Sequence, residues 1–327
     1  MGKVCVGLSW LLVFAIAMGC GGNDATQAPV TATTGAETSA KQAAKAPTPT
    51  RIRVANVGLS APESVLYDPQ ADLYLVSNIN GAPTHVDDNG FISRIRPDGT
   101  VQELKWIDAQ KDEVVLNAPK GMALSADTLF VADIDHVRLF DRVSGASKGQ
   151  IKVSGASFLN GMTIDNKGTV YVSDSGLRGT DAGFEPTGTD AIYRLQGQRA
   201  VRLVKDKSLS NPNGIAADDD GLWVVTFGSG SLLRLDSQGK QSLAIPFPKG
   251  GLDGIILQNN VLLISSWHAH AVYAVPVSDL YGTEPDPQFK AVVLEVNGPA
   301  NIGFDIKRGR ILVPMYNDNA ILIHDYR

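Results

Sequence analysis

The feature that most constrains this chain is a short motif that recurs six times between residues 62 and 305. In most copies a proline or leucine precedes a variable residue, a glycine and an aliphatic residue, and an aspartate often closes the motif. The copies lie at residues 62–68, 119–125, 159–165, 212–218, 252–258 and 299–305. Their starts are about 40 to 57 residues apart, and self-similarity at such a period predicts a repeat architecture.

Each copy is followed by further short runs of Val, Ile, Leu and Tyr between turns rich in Gly, Asp and Asn. Runs of this kind predict strands, and the body shows no convincing amphipathic helix. Four strands in each of six units predict an all-β fold, the six-bladed β-propeller. The last unit lacks a fourth run, and we expect residues 51–57 to supply it and so close the ring.

The first 50 residues are predicted to be a targeting signal followed by a flexible linker. Residues 1–19 have the basic start and short apolar stretch of a signal peptide. They end in Ala17-Met18-Gly19 before Cys20, which resembles a bacterial lipoprotein cleavage box, so Cys20 is predicted to carry the lipid. An ordinary secretory signal is the alternative. Residues 20–50 are rich in Ala, Thr and Pro and are predicted to be a disordered linker, which leaves 51–327 as the propeller domain.

These assignments predict a lipoprotein of the cell envelope, in the outer membrane or periplasm if the cell is Gram-negative. Membrane contact is expected through the N-terminal lipid only.

Composition excludes several functions. The net charge is −5 and no basic tract is present, which argues against nucleic-acid binding. Both cysteines, Cys5 and Cys20, precede the body, so the body holds neither a disulfide nor a thiolate metal site. No phosphate-binding loop or His-Glu-x-x-His motif occurs.

The variable position of the motif carries the candidate chemistry. In a propeller this position begins the strand that lines the central channel, so its six residues should meet at one mouth. They are Glu63, Lys120, Asn160, Asn213, Asp253 and Ala300. A ring of carboxylate and amide oxygens suits a hard divalent cation, which can promote ester hydrolysis. Lys120 would either pair with Glu63 or Asp253 in place of a metal, bind a substrate carboxylate, or stabilise an oxyanion.

The ends of the second strands should return to the same mouth. They carry Asn78, Asp133, Asp174, Phe227, Trp267, His268 and Tyr316. Asp133 and Asp174 are expected in solvated loops, with added charge at the site as the alternative. The pair His268 and His270 is expected to be exposed or packed in a loop rather than to bind metal, with His268 as a general base left open.

Loops 78–90 and 175–190 should overhang the mouth, where they either shape a pocket or form variable surface.

The chain resembles a known family at the mouth residues. In order, Glu63, Asn160-Gly161, Asn213-Gly214 and Asp253-Gly254 are similar to the metal-site motifs of the gluconolactonase, senescence-marker-protein (regucalcin) and luciferin-regenerating-enzyme family. The resemblance covers about residues 55–327. It implies that Glu63, Asn213 and Asp253 hold one divalent metal. It also implies that Asn160 contacts substrate or a metal-bound water, and that Asp253 is the acid/base of sugar-lactone hydrolysis.

The resemblance leads to a concrete expectation: a divalent-metal-dependent hydrolase of sugar lactones or related small esters. Asp253 and Lys120 are the expected catalytic residues, and Asn160 and Lys120 would bind substrate. The metal would be Ca²⁺, Mg²⁺, Mn²⁺ or Zn²⁺, and the protein a monomer whose partner is a small lactone or ester. The alternatives are a non-catalytic propeller scaffold in which Lys120 neutralises the acidic ring and, less favoured, a lyase or synthase, because a fold does not fix a reaction.

Overall fold

The repeated motif forms the innermost strand of each of six antiparallel sheets, as seen in a computed structural model that describes residues 50–111, 113–282 and 287–326. The predicted signal peptide, Cys20 and all of the predicted linker except Thr50 lie outside the described residues. The fold is the predicted all-β, six-bladed propeller, and the described residues contain three short 3₁₀ turns but no α-helix. No helical segment of this part of the chain has the length and hydropathy needed to span a bilayer.

The strands of the first half follow one another in chain order. They are β1 (Arg51–Val54), β2 (Pro62–Asp68), β3 (Leu73–Asn78), β4 (Phe91–Ile95), β5 (Val101–Asp108), β6 (Pro119–Leu124), β7 (Thr128–Asp133), β8 (His136–Asp141), β9 (Ser147–Lys152), β10 (Leu159–Ile164), β11 (Val170–Asp174), β12 (Leu177–Thr180), β13 (Gly183–Pro186), β14 (Ala191–Gln196) and β15 (Arg199–Lys205).

The second half continues the pattern. Its strands are β16 (Pro212–Ala217), β17 (Gly221–Thr226), β18 (Ser231–Asp236), β19 (Gln241–Pro246), β20 (Leu252–Gln258), β21 (Val261–Ser266), β22 (Ala271–Pro276), β23 (Lys290–Leu294), β24 (Gly303–Asp305), β25 (Arg310–Met315) and β26 (Ala320–Asp325). The 3₁₀ turns are Lys207–Leu209, Val277–Tyr281 and Tyr316–Asp318.

The ring closes as predicted. Strand β1 pairs antiparallel with β26, so the sixth sheet has the order β1-β26-β25-β24 and takes its outer strand from the front of the body. This pairing removes an open edge that would otherwise attract another chain.

The buried apolar side chains of the described residues form six clusters, one between each pair of neighbouring sheets. In the cluster between the first and second sheets, for example, Leu75 and Ile92 pack with Met122 and Val131. Burial between sheets is the main source of stability for a ring whose sheets are each only four strands wide.

A β-bulge interrupts the pairing near the start of the innermost strand in the first five sheets. The variable residues of the motif lie inside these bulges, namely Glu63, Lys120, Asn160, Asn213 and Asp253. A bulge bends the strand and re-aims the bulged side chain. The site residues therefore leave the regular alternation of the sheet at one common level of the ring.

The bulge leaves a backbone N–H without a partner in the strand pairing. In three sheets, a serine hydroxyl on the second strand accepts a hydrogen bond from this N–H. Ser77 Oγ accepts from the N–H of Ser64 at 2.9 Å, and Ser173 Oγ accepts from that of Gly161 at 2.9 Å. Ser265 Oγ accepts from the N–H of Gly254 at 2.7 Å. These hydroxyls compensate for the hydrogen bond lost at each bulge.

The glycine of the motif is required by the close approach of neighbouring innermost strands. A Cβ on Gly161 would lie 2.4 Å from the carbonyl oxygen of Asn213, and a Cβ on Gly214 would lie 2.5 Å from that of Asp253. Both distances are below van der Waals contact. The missing side chain lets each bulge sit against the next around the channel.

The sixth innermost strand is shorter than its repeat predicts. Regular pairing covers only Gly303–Asp305, and the residues before it make isolated bridges, Pro299 to Met315 and Asn301 to Ser64. Gly303 provides the close approach here, since its Cβ would lie 2.2 Å from the carbonyl oxygen of Val65. The repeat is therefore offset by two residues where the last sheet meets the first.

The aspartates that close the motif are structural. The carboxylate of Asp68 accepts the N–H groups of Gln70 and Ala71, and the carboxylate of Asp165 accepts those of Lys167 and Thr169. Asp218 and Asp305 bind two turn N–H groups in the same way. Each fixes the turn into the second strand.

Gly161→Ala tests the close-approach argument. We expect a loss of about 3 kcal/mol in the free energy of unfolding, because the new methyl group must displace the backbone of the next strand. The control is Gly197→Ala, where a Cβ would meet nothing within 4 Å and the cost is only the left-handed backbone, about 1 kcal/mol. Denaturant unfolding of both variants gives the comparison, and equal losses would contradict the argument.

Candidate functional site

Five of the six predicted mouth residues meet in one cavity. A cavity of about 320 Å³ lies where the innermost strands begin, and Glu63, Lys120, Asn160, Asn213 and Asp253 line it. All five side chains are buried. Ala300, the sixth residue of the predicted ring, is not part of the lining.

Four buried oxygen atoms on these side chains have no hydrogen-bond partner. They are Glu63 Oε2, Asn160 Oδ1, Asn213 Oδ1 and Asp253 Oδ1. An unsatisfied buried acceptor costs about 1–3 kcal/mol, and native structures hold few of them. Their grouping in one cavity points to a ligand that is bound through oxygen atoms.

The amide groups are oriented by their own hydrogen bonds. The Asn160 Nδ2 group donates to Ser175 Oγ at 3.2 Å, and this hydroxyl donates to the carbonyl oxygen of Pro212 at 2.8 Å. The Asn213 side chain lies beside the Asp253 carboxylate, where it lowers the pKa of that group. The carbonyl oxygens of both amides remain unpaired.

Asp253 is held by a tryptophan that the sequence placed at this mouth without assigning it a role. Trp267 Nε1 donates to Asp253 Oδ2 at 2.9 Å and leaves Oδ1 unpaired. Burial raises the pKa of Asp253 to about 7, although the hydrogen bonds from Trp267 and Asn213 act in the opposite direction.

The charged form of Glu63 is also disfavoured in this cavity. Burial raises its pKa well above the ordinary range, the nearby charge of Asp253 raises it further, and the charge of Lys120 lowers it. Two carboxylates buried together with too little positive charge form a site that a divalent cation would stabilise.

Lys120 does not bridge the two carboxylates. Its Nζ donates to the carbonyl oxygens of Pro83 at 3.0 Å and Ala118 at 3.1 Å, and lies 4.4 Å from the centre of the Phe158 ring. No ion pair within the described residues joins it to Glu63 or Asp253. Burial lowers its pKa to about 8, and the charges of Glu63 and Asp133 oppose that shift. The expectation that Lys120 replaces a metal by direct pairing is therefore not met.

The upper walls of the cavity are apolar. The aromatic side chains in them are Phe158, Phe184, Phe227, Trp267 and Tyr316. They form two groups, one in which Phe184 meets Phe158 edge-on at 5.9 Å, and one in which Trp267 lies 6.1 Å from Phe227 and 5.4 Å from Tyr316. We call the side chains of Glu63, Asn160, Asn213 and Asp253 the floor of the pocket and the aromatic side chains its walls; the two meet where Trp267 bonds to Asp253.

Both predicted overhanging loops shape the pocket. Loop 78–90 contributes Ile79 and Pro83, and segment 175–190 contributes Leu177 and Phe184. The second segment is not an irregular loop but a hairpin of β12 and β13. A Cβ on Gly179 would lie 2.3 Å from Thr84 Oγ1, so the two insertions touch each other.

The aspartates at the ends of the second strands stay outside the pocket, and the expected solvated loop positions are wrong. Asp133 and Asp174 are fully buried. Asp133 accepts the N–H of Ala118 at 2.8 Å, and Asp174 accepts that of Phe158 at 2.9 Å. They fasten the segments that lead into the bulges.

The two histidines take the expected positions. His268 and His270 are exposed, and neither lines the cavity. The His268 ring packs against Phe227 with centres 6.1 Å apart, so it supports the wall from outside.

The donor set fits a hard cation better than a soft one. Within the described residues, no group of three or more His, Cys, Asp or Glu side chains is placed to hold a metal. The four free oxygens come instead from two carboxylates and two amides, ligand types that Ca²⁺, Mg²⁺ and Mn²⁺ accept.

Comparison with known proteins identifies the fold. Neither a protein-family profile nor a curated protein matches the chain. Among solved structures, a gluconolactonase of Xanthomonas campestris is 17% identical with a TM-score of 0.60, covering 85% of this chain and 89% of its own. A luciferin-regenerating enzyme is 12% identical with a TM-score of 0.64, over 85% and 96%.

A virginiamycin B lyase of Staphylococcus aureus, solved with quinupristin in a catalytically inactive form, is 15% identical with a TM-score of 0.56, over 86% and 100%. The resemblance to gluconolactonase and luciferin-regenerating enzyme that the mouth motifs indicated is thus confirmed at the level of the fold.

Proposed function

We propose that this protein is a divalent-metal-dependent hydrolase of lactones or related small esters. The observation that carries the proposal is the set of four unpaired buried oxygens on the floor of one cavity. The fold shared with a gluconolactonase supports the reaction class.

Glu63, Asn213 and Asp253 are the residues that would hold the cation, with Asn160 beside them for substrate or water. A bound divalent cation supplies Lewis acidity that polarises a carbonyl and makes water more acidic. It would also neutralise the two buried carboxylates. Their common cavity and the position of Asn213 beside Asp253 support this assignment.

Lactone hydrolysis requires proton transfer at two oxygens. Water adds to the carbonyl carbon, the ring C–O bond breaks, and the freed alkoxide takes a proton. Asp253 is suited to carry that proton, because Trp267 fixes one oxygen at 2.9 Å and leaves the other available.

Lys120 is suited to stabilise negative charge on the substrate. Two backbone carbonyls hold its Nζ at the cavity wall, so the ammonium is positioned before substrate arrives. Preorganised charge of this kind is most effective in a site that excludes water.

We also propose that the enzyme acts at the cell envelope as a monomer, attached through a lipid on Cys20 and free of any nucleic-acid partner. The sequence of residues 1–50 supports this location. Incorporation of radiolabelled palmitate should be lost in Cys20→Ala, and equal labelling of the variant would contradict the proposed anchor.

Glu63→Gln tests the metal and the reaction together. Removing one charged ligand should abolish stoichiometric binding of Mn²⁺, measured by elemental analysis after dialysis, and lower kcat/KM for lactones by about 100-fold or more. The matched control is Glu103→Gln on the exposed part of β5, which should behave as wild type.

Two results would contradict the proposal. If the wild-type protein binds no metal at millimolar divalent cation, the binding-scaffold alternative is favoured. If it binds metal but hydrolyses no lactone or ester in a pH-stat assay, the hydrolase is excluded while the metal site stands.

The effect of metal on stability should depend on pH. The pKa of Asp253 in the folded protein is about 7, above its value in the unfolded chain. Protonation of Asp253 therefore stabilises the metal-free fold at acidic pH, and this stabilisation is lost as the pH rises through 7. Protons and cations compete for the same oxygens. Millimolar Mn²⁺ should therefore raise Tm by about 5 °C at pH 8 and by less than half as much at pH 5.5. A shift that grows on acidification would contradict this assignment.

A further inference from the structure

The walls of the cavity offer almost no hydrogen bonds to a ligand. Trp267 Nε1 is committed to Asp253, and Ser175 Oγ is committed to Pro212 and Asn160. Lys120 Nζ already donates to two carbonyl oxygens. The polar groups that line the pocket therefore serve its own architecture, apart from the free oxygens of the floor, the third Nζ–H of Lys120 and the Tyr316 hydroxyl.

A sugar lactone fits such walls poorly. Each ring hydroxyl that enters the cavity loses its hydrogen bonds to water, and an apolar wall returns none. The two aromatic groups, Phe158 with Phe184 and Trp267 with its neighbours, instead present ring faces and edges to an apolar substituent.

The entrance has the same character. Phe184, which lines the cavity, is 53% exposed on the hairpin of β12 and β13, and Pro83 lines the cavity from loop 78–90. These two insertions touch through Thr84 and Gly179. An apolar group can thus contact the protein before it reaches the floor.

We infer that the substrate is a lactone with an apolar alkyl substituent, bound with its ester group on the oxygen-rich floor and its chain between the aromatic walls. The inference rests on the proposed hydrolase and narrows its substrate from sugar lactones to lipophilic ones. The cavity of about 320 Å³ limits the substrate to a small molecule.

The first test measures kcat/KM for δ-valerolactones that carry 6-alkyl groups from methyl to pentyl. Burial of each added methylene should raise kcat/KM about fourfold, and D-glucono-δ-lactone should be at least about 100-fold poorer than the pentyl compound. Phe184→Ser should reduce the gain per methylene to about twofold. Val143→Ser, at a still more exposed apolar residue in the turn after β8, should keep the wild-type gain.

The second test separates binding from catalysis by replacing the lactones with the corresponding δ-lactams, which resist hydrolysis, in calorimetric titrations. Affinity should rise with chain length as kcat/KM does, and the gluconolactam should bind more weakly than the pentyl lactam.

The outcomes are distinguishable. If lactams show the chain-length gain but no lactone is hydrolysed, the lipophilic pocket stands and the proposed hydrolase fails. If gluconolactone is the better substrate, or affinity for lactams does not rise with chain length, the inference is overturned even though the hydrolase stands.

Discussion

The structure depends on one backbone arrangement, a β-bulge at the start of the innermost strand in each of the first five sheets, packed against the innermost strand of the next sheet. The bulge turns Glu63, Asn213 and Asp253 toward the channel. The glycine after the bulged residue allows the neighbouring carbonyl to approach, as Gly161 does with Asn213. The packing of neighbouring innermost strands and the placement of the site are therefore achieved by the same few residues, so a change that loosens this packing must also disturb the site.

That arrangement creates an electrostatic imbalance at the mouth of the ring. Two buried carboxylates share a cavity with one ammonium, and backbone carbonyls and the Phe158 ring hold the ammonium instead of the acids. Burial of this site raises the pKa of Asp253 to about 7. Four unpaired oxygens remain, and a cation would satisfy both their hydrogen-bonding deficit and the excess negative charge.

Much of this was predictable, because a propeller repeats its local rules. The recurring motif predicted the six sheets, the closing role of residues 51–57 and the meeting of Glu63, Lys120, Asn160, Asn213 and Asp253 at one mouth. The aromatic residues Phe227, Trp267 and Tyr316 were also placed there correctly, because second strands must return to the start of the first.

The remaining features depend on contacts between distant segments, which no local pattern encodes. One partner of Lys120, the carbonyl of Pro83, comes from loop 78–90, and the burial of Asp133 and Asp174 follows from the loops that they fasten. The hairpin of β12 and β13 left a weak signal, a turn of Asp181 and Ala182 between two short runs. The apolar character of the pocket emerged only when all six sheets and two insertions were assembled.

The most direct test of this account is the anomalous diffraction of crystals grown with Mn²⁺. We predict one strong peak on the floor of the cavity, ligated by oxygens of Glu63, Asn213 and Asp253, with Lys120 still bound to its two carbonyls. A cavity without a peak at full Mn²⁺ saturation, or with Lys120 moved between the two carboxylates, would contradict the central claim that this ring of bulges is built to hold a cation.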